Sequence, residues 1–278
     1  MKIYDILAKW EKENRSFVTA TVVKVGGSVP GKVGFKLAVN GNDEIVGTVG
    51  GGAIEARAIE ECRQRLLSGE SGLAEYSLTP EPPAIQSAET EHVSMMCTGK
   101  VTIYYEAVIA RPTVYIFGGG HVGKALSALL KPLHYFCVLV DNRPEFANPT
   151  ANPNFHQHFA EDYRQFSSQF QPPAGSFAVI MTHGHGYDYD VAYQLLKRKL
   201  PFKYIGIISS RTKAEKLLKQ LKGALGNQAD LSHVFAPVGL AIGGSTESEI
   251  ALSIAAEIQA IHYGKEQNHL RLAPSKQN

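Results

Sequence analysis

Gly118-Gly119-Gly120-His121-Val122-Gly123 sets glycines at the first, third and sixth positions of one turn, and Asp141 stands 23 residues after Gly118. An apolar run precedes the turn and a helical pattern opens at His121, the setting in which this spacing grips a pyrophosphate. Gly118 permits the tight turn, Gly120 lets backbone N–H groups approach the anion, and Gly123 lets the helix lie close to its strand. The helix N-terminus adds partial positive charge. Asp141 is expected to accept from a ribose 2′-OH, which favours NAD, while Arg143 keeps NADP open. The alternative is the same backbone with no nucleotide, or with a different one.

Three more loops fall where the carboxyl ends of parallel strands would lie. In Thr182-His183-Gly184-His185-Gly186-Tyr187-Asp188, the side chains of His183, His185 and Asp188 could bind a divalent metal, face a ligand, or simply turn the chain. Ser210 and Arg211 open a helix and read either as a phosphate site or as an N-cap with a surface arginine. Thr246 with Glu249 has the spacing of a capping box.

A second glycine turn, Gly50-Gly51-Gly52, lies between a strand pattern and a helix pattern, and the 26–31 loop is expected beside it. Bare N–H groups there would suit an oxyanion, such as a phosphate, or a polar heterocycle. The alternative is glycine used for tight turning and close packing. Cys62 and Cys137 lie in apolar stripes and read as core. Cys97, in Met95-Met96-Cys97-Thr98-Gly99, sits in a loop, where a thiolate could bind a soft metal or carry sulfur.

The elements that must hold these loops follow from periodicity. Residues 113–117, 135–140, 176–181 and 203–208 read as strands, alternating with helices over 121–131, 187–199, 212–222 and 247–261. That alternation gives an α/β, Rossmann-like, doubly wound parallel sheet over 112–264. Residues 1–111 read as a smaller α+β domain. It has an opening amphipathic helix, strands over 17–25, 35–39, 45–49 and 101–106, and a helix whose stripe is Ile54, Ala58, Cys62 and Leu66. Residues 79–96 read as a surface loop or flap, and 265–278 as a flexible tail.

The chain has 278 residues and a formal net charge of +2, with 12 Lys+Arg against 14 Asp+Glu in 1–111 and 16 against 12 in 112–278. No basic stripe supports nucleic-acid binding, and no apolar run of membrane-spanning length or signal-peptide type occurs, so a cytoplasmic protein is expected. Three scattered cysteines make neither a disulfide framework nor a paired-cysteine zinc site.

Taken together, the motifs resemble the XdhC/CoxI family of accessory proteins for xanthine dehydrogenase and related molybdenum hydroxylases. The resemblance rests on Gly27-Ser28-Val29-Pro30, on Gly47-Thr48-Val49-Gly50-Gly51-Gly52 with Glu55, and on Met95-Met96-Cys97-Thr98-Gly99. It continues through the 116–123 turn, Val140-Asp141-Asn142-Arg143-Pro144-Glu145-Phe146, Tyr204-Ile205-Gly206-Ile207-Ile208-Ser209-Ser210-Arg211, and Pro237-Val238-Gly239-Leu240-Ala241-Ile242-Gly243-Gly244. It implies a homodimer that binds the pyranopterin molybdenum cofactor, protects it during sulfuration beside a cysteine desulfurase, and delivers it to a hydroxylase. Thr98 replaces a frequent glycine, Asn142 a frequent aspartate and His183 a frequent arginine.

On this resemblance, Gly50, Gly51 and Gly52 would hold the pterin phosphate and Cys97 would face the molybdenum. Gly118, Gly120, His121, Gly123, Asp141, His183, Ser210 and Arg211 would bind a nucleotide or the nucleotide-like end of the cofactor. The rival readings are an NAD(P)-dependent oxidoreductase with His183 or His185 as acid–base, and an assembly scaffold without catalysis.

Overall fold

The computed structural model describes residues 2–81, 90–226 and 229–265. The chain divides into two compact units, Met1–Ala110 and Arg111–Asn278.

The first unit is a six-stranded sheet carrying one long helix. In chain order it runs α1 (Ile3–Lys12), β1 (Phe17–Gly27), β2 (Lys36–Asn40), β3 (Ile45–Gly47), α2 (Gly52–Ser68), β4 (Gly72–Thr79), β5 (Thr90–Ser94) and β6 (Gly99–Val108). The strand order is β3-β2-β1-β6-β4-β5. Its pairs are antiparallel except β4 with β5. Asn40 builds the β2–β3 turn, its Oδ1 accepting from Asn42 N and Glu44 N at 2.9 and 3.0 Å. The predicted stripe of α2 is buried at Ile54, Ala58 and Cys62, against Val18, Leu37 and Ile103 of the sheet. Full burial of a side chain the size of Ile54 stabilises by roughly 1.5–3 kcal/mol. Trp10 and Phe17 close a smaller cluster around Ala38. Part of the expected 79–96 loop is strand: β5 pairs parallel with β4, from Glu75↔Thr90 to Thr79↔Ser94. The rest of it, 82–89, lies outside the described residues.

The second unit contains β7 (Thr113–Phe117), α3 (His121–Leu130), β8 (Phe136–Val140), β9 (Gln157–Phe159), α4 (Tyr163–Gln169), β10 (Ser176–Ile180), α5 (His185–Lys197), β11 (Phe202–Ile207), α6 (Arg211–Leu225), β12 (Val234–Phe235) and α7 (Glu247–His262). All its strands are parallel, in the order β12-β11-β10-β7-β8-β9. Numbered within the unit, this is the 3-2-1-4-5-6 order of the dinucleotide-binding fold.

Strands β7, β8 and β10 are buried at every position. They are covered on both faces, which is why they read as unbroken apolar runs. Phe117, Val138 and Ile180 pack with Val191 and Leu195 of α5 and Leu221 of α6. Val114, Leu139 and Val179 pack with Leu126 of α3 and Ile254 and Ile258 of α7.

The chain leaves β7 through α3 toward β8 and leaves β10 through α5 toward β11. Neighbouring strands whose connections diverge in this way open a crevice at their carboxyl ends. Most of the expected tail, 266–278, lies outside the described residues. Among the described residues no helix is long and apolar enough to cross a membrane.

Candidate functional site

The glycine turn after β7 is built on close approaches. Gly118 has φ +126°, and a Cβ there would collide with Met181 O of the loop after β10. A Cβ on Gly123 would collide with Gly118 O, so α3 lies against the turn only because Gly123 has no side chain. Gly120 is different. Its φ is −69°, and a Cβ would meet nothing within 4 Å. It is the N-cap of α3, and as glycine it brings no side chain to cap that helix end. The turn therefore presents an open, uncapped helix N-terminus, carrying partial positive charge.

A cleft of about 290 Å³ lies on this end. It is lined by Gly120, His121, Val122 and Gly123 of the turn and α3, by Met181, Thr182 and His183 after β10, by Ile208 after β11, and by Arg143. The structure thus brings Gly120, His121, Gly123 and His183 of the predicted set together.

Asp141 departs from its expected role. It is fully buried and does not line the cleft. Its Oδ2 accepts from Gly119 N at 2.7 Å and Arg143 Nη2 at 2.8 Å, and its Oδ1 from Arg143 N at 3.0 Å and Arg143 Nε at 2.9 Å. Four donors fill a carboxylate's accepting capacity, so the expected ribose hydroxyl finds no lone pair. Burial pushes this carboxyl up, but the Arg143 and Gly119 hydrogen bonds outweigh it and hold it below its ordinary value of 3.8. The guanidinium also lies over the Phe146 ring, 4.0 Å from its centroid.

Two contributors carried no sequence signal. Buried Asn152 donates from Nδ2 to Gly119 O at 3.0 Å and Phe146 O at 2.8 Å, tying the glycine turn to the loop after β8. Met181 sets the floor under Gly118.

The neighbouring loops are less engaged. Buried Asp188 accepts at Oδ1 from Thr182 N at 3.0 Å and Thr182 Oγ1 at 2.6 Å, so it braces its own loop instead of facing a metal. His183 is exposed and packs by Tyr187, with ring centroids 5.1 Å apart. The His185 side chain lies outside the described residues. Among the described residues no group of three His, Cys, Asp or Glu side chains could hold a metal ion. Ser210 is the N-cap of α6 without a side-chain bond, and neither it nor Arg211 lines the cleft. Thr246 and Glu249 do form the capping box of α7.

In the first unit three loops meet. Gly31 abuts Val49 and Gly50, Gly27 abuts Thr98 and Gly99, and a Cβ on Gly52 would lie 3.1 Å from Met95 Cε. The expectation that this turn offers bare amides to an anion is not met. Glu55 Oε2 accepts from Val49 N and Gly51 N, both at 3.2 Å, and from Thr48 Oγ1. Gly50 N donates to Thr48 Oγ1 at 3.0 Å. A carboxylate of the protein already occupies the position that Gly50 and Gly51 would give an anion, and Gly52 begins α2. Cys97 is half-buried and free in the 95–99 loop. Burial pushes the thiols of Cys62 and Cys137 up to about 12, so neither forms a thiolate near neutrality.

Known proteins share this architecture. Residues 114–258 match the XdhC Rossmann domain, and residues 10–77 match the XdhC and CoxI family. An uncharacterized Escherichia coli protein, YqeB, is 29% identical over 259 residues, covering 93% of this chain and 46% of its own length. A probable xanthine dehydrogenase subunit of Bacillus subtilis is 28% identical over 156 residues, covering 56% of this chain and 44% of its own length. The chain thus spans about half the length of these curated relatives. A crystal structure described as a xanthine dehydrogenase from Bacillus halodurans is 19% identical, covers 96% of this chain and 97% of that one, and superposes with a TM-score of 0.51. That likeness is one of fold.

Proposed function

The chain belongs to the XdhC and CoxI family, and on that footing we propose that it is an accessory protein of a xanthine dehydrogenase-type molybdenum hydroxylase, handling the enzyme's phosphorylated pterin cofactor as cargo. The Bacillus subtilis relative, named for a xanthine dehydrogenase, supports the choice of partner. The observation that carries the cargo reading is the uncapped N-terminus of α3, open at Gly120 and flanked by Arg143.

The residues fit the two chemical ends of such a cargo unequally. In the second unit, the α3 N–H groups and Arg143 suit a phosphate. In the first unit, Glu55 disfavours a phosphate at Gly50 and Gly51, whereas Cys97 offers a soft sulfur ligand to molybdenum. When bound, the cargo would bring a metal centre capable of hydroxylase chemistry. This chain's part is read unit by unit: the second binds the phosphate, and the first offers a free thiol that suits a soft metal. The same proposal has two copies of the chain working beside a cysteine desulfurase that provides sulfur.

The rival oxidoreductase reading needs an acid–base residue at the cleft. His183 is the described candidate, and the parallel sheet suits NAD(P). Hydride transfer from NADH or NADPH to a small carbonyl compound would establish that rival.

The test is the molybdenum content of the partner hydroxylase made in cells with and without this chain. We expect hydroxylase polypeptide of normal abundance but depleted in molybdenum when the chain is absent. Wild-type chain should restore the metal and Cys97→Ser should not. Full metal loading without the chain would overturn the proposal.

A further inference from the structure

We propose that the cleft over α3 selects a phosphate monoester against a ribose diol, and that Arg143, held in place by Asp141, makes that choice. The inference rests on the phosphate-site reading above and names the chemical class that the site takes.

In a dinucleotide fold the acid ending the second strand accepts from the ribose hydroxyls. Asp141 holds that position at the end of β8, but its four hydrogen bonds leave nothing for a diol. A diol could enter only by pulling Arg143 off a buried carboxylate, breaking a two-pronged ion pair. The remaining cleft wall offers a diol the single nitrogens of His121 and His183, but no paired acceptor of the carboxylate kind. Among the described residues no carboxylate lines it, and the Thr182 hydroxyl is already bound to Asp188.

The donors, by contrast, are in excess. A guanidinium has five N–H groups. Asp141 takes one on Nε and one on Nη2, so three remain, two of them on Nη1. The carboxylate behind and the Phe146 ring beneath fix the plane of the fork. That fixed edge, with the α3 N-terminus and Gly120, is a set of donors without acceptors. A phosphate monoester is the complementary group, with three acceptor oxygens and a charge of about −1.5 to −2 at pH 7. A cleft of about 290 Å³ admits this group with part of its carrier.

Two carriers bring a monoester: the 2′-phosphate of NADP(H), and the side-chain phosphate of a pterin. The experiment is equilibrium binding to the purified full chain of NADPH against NADH, and of a phosphorylated pterin against its dephosphorylated form. At least one monoester should bind more tightly than its counterpart by roughly ten- to hundredfold, the factor carried by one or two charge-assisted hydrogen bonds. Arg143→Lys keeps the charge but loses the fork, and should erase most of that preference.

The wild-type comparison stands even if a variant fails to fold. Equal binding within each pair, or no binding of either monoester, overturns the inference. Phosphate-dependent binding of NADPH alone would sustain it and remove support for the pterin cargo. Pterin binding indifferent to the phosphate would do the reverse.

Discussion

A carboxylate with both oxygens buried must be matched by donors, and Asp141 takes four of them from Gly119 and Arg143. The result is a brace: one side chain fixes the glycine turn through Gly119 and the cleft's cation through Arg143. Its folded-state carboxyl lies below the ordinary 3.8. The stabilisation is therefore present above that value and is lost as pH falls through the lower, folded value. Asp141→Asn should cost about 1–3 kcal/mol at pH 7, the range for removing hydrogen bonds to a charged group, discounted because Arg143 is partly exposed. Urea unfolding should show the gap to wild type closing below pH 3.8. A gap unchanged down to pH 3 would show that the brace is not ionic. The spacing of Gly118, Gly123 and Asp141 located this turn, but it could not show which way Asp141 faces. That depended on Arg143 lying two residues away with its fork free to fold back, an arrangement only tertiary packing decides. Glu55 poses the same difficulty at the other glycine turn, where a helix residue reaches back to cap Thr48, Val49 and Gly51.

Strands buried on two faces announced themselves, and the edge strands β5, β9 and β12 did not, although edge β3 falls within its expected 45–49 run. Strands β7, β8, β10 and β11 fall within a residue or two of their apolar runs, because two helical layers demand apolar side chains on both sides. β9 and β12 are three- and two-residue edges without a readable period. β5 has polar or half-exposed neighbours around one buried Val93. The short helix α4 did leave a trace, since Asp162 caps Arg164 N and Gln165 N ahead of buried Tyr163 and Phe166.

The meeting of α3 and β7 gives this scale its own test. Gly123→Ala places a methyl against backbone that cannot retreat, and should destabilise by about 1–3 kcal/mol, as overpacking does. Gly120→Ala has ordinary φ and open space, so its stability should stay within about 0.5 kcal/mol of wild type, as for a surface change. It should nevertheless weaken phosphate-monoester binding by occupying the cleft. Denaturation and binding measured on both variants check this. A strongly destabilised Gly120→Ala, or one that binds as wild type does, would place the ligand elsewhere.

At the scale of the whole chain, each unit brings its own chemistry to the proposed task. The first has a free, half-buried thiol among interlocked glycine loops, and the second has a donor-lined cleft on a dinucleotide-type sheet. A net charge of +2 gives no general attraction for anions, so selectivity falls to local groups. Family matches fall in both units, which ties the two chemistries to one chain. The most direct measurement is the pterin and molybdenum carried by the full chain when purified from cells that make the cofactor. The account predicts both in the wild-type protein, loss of molybdenum in Cys97→Ser, and loss of pterin in Gly120→Ala. Wild-type protein free of pterin, from cells whose hydroxylase is fully loaded, would contradict it.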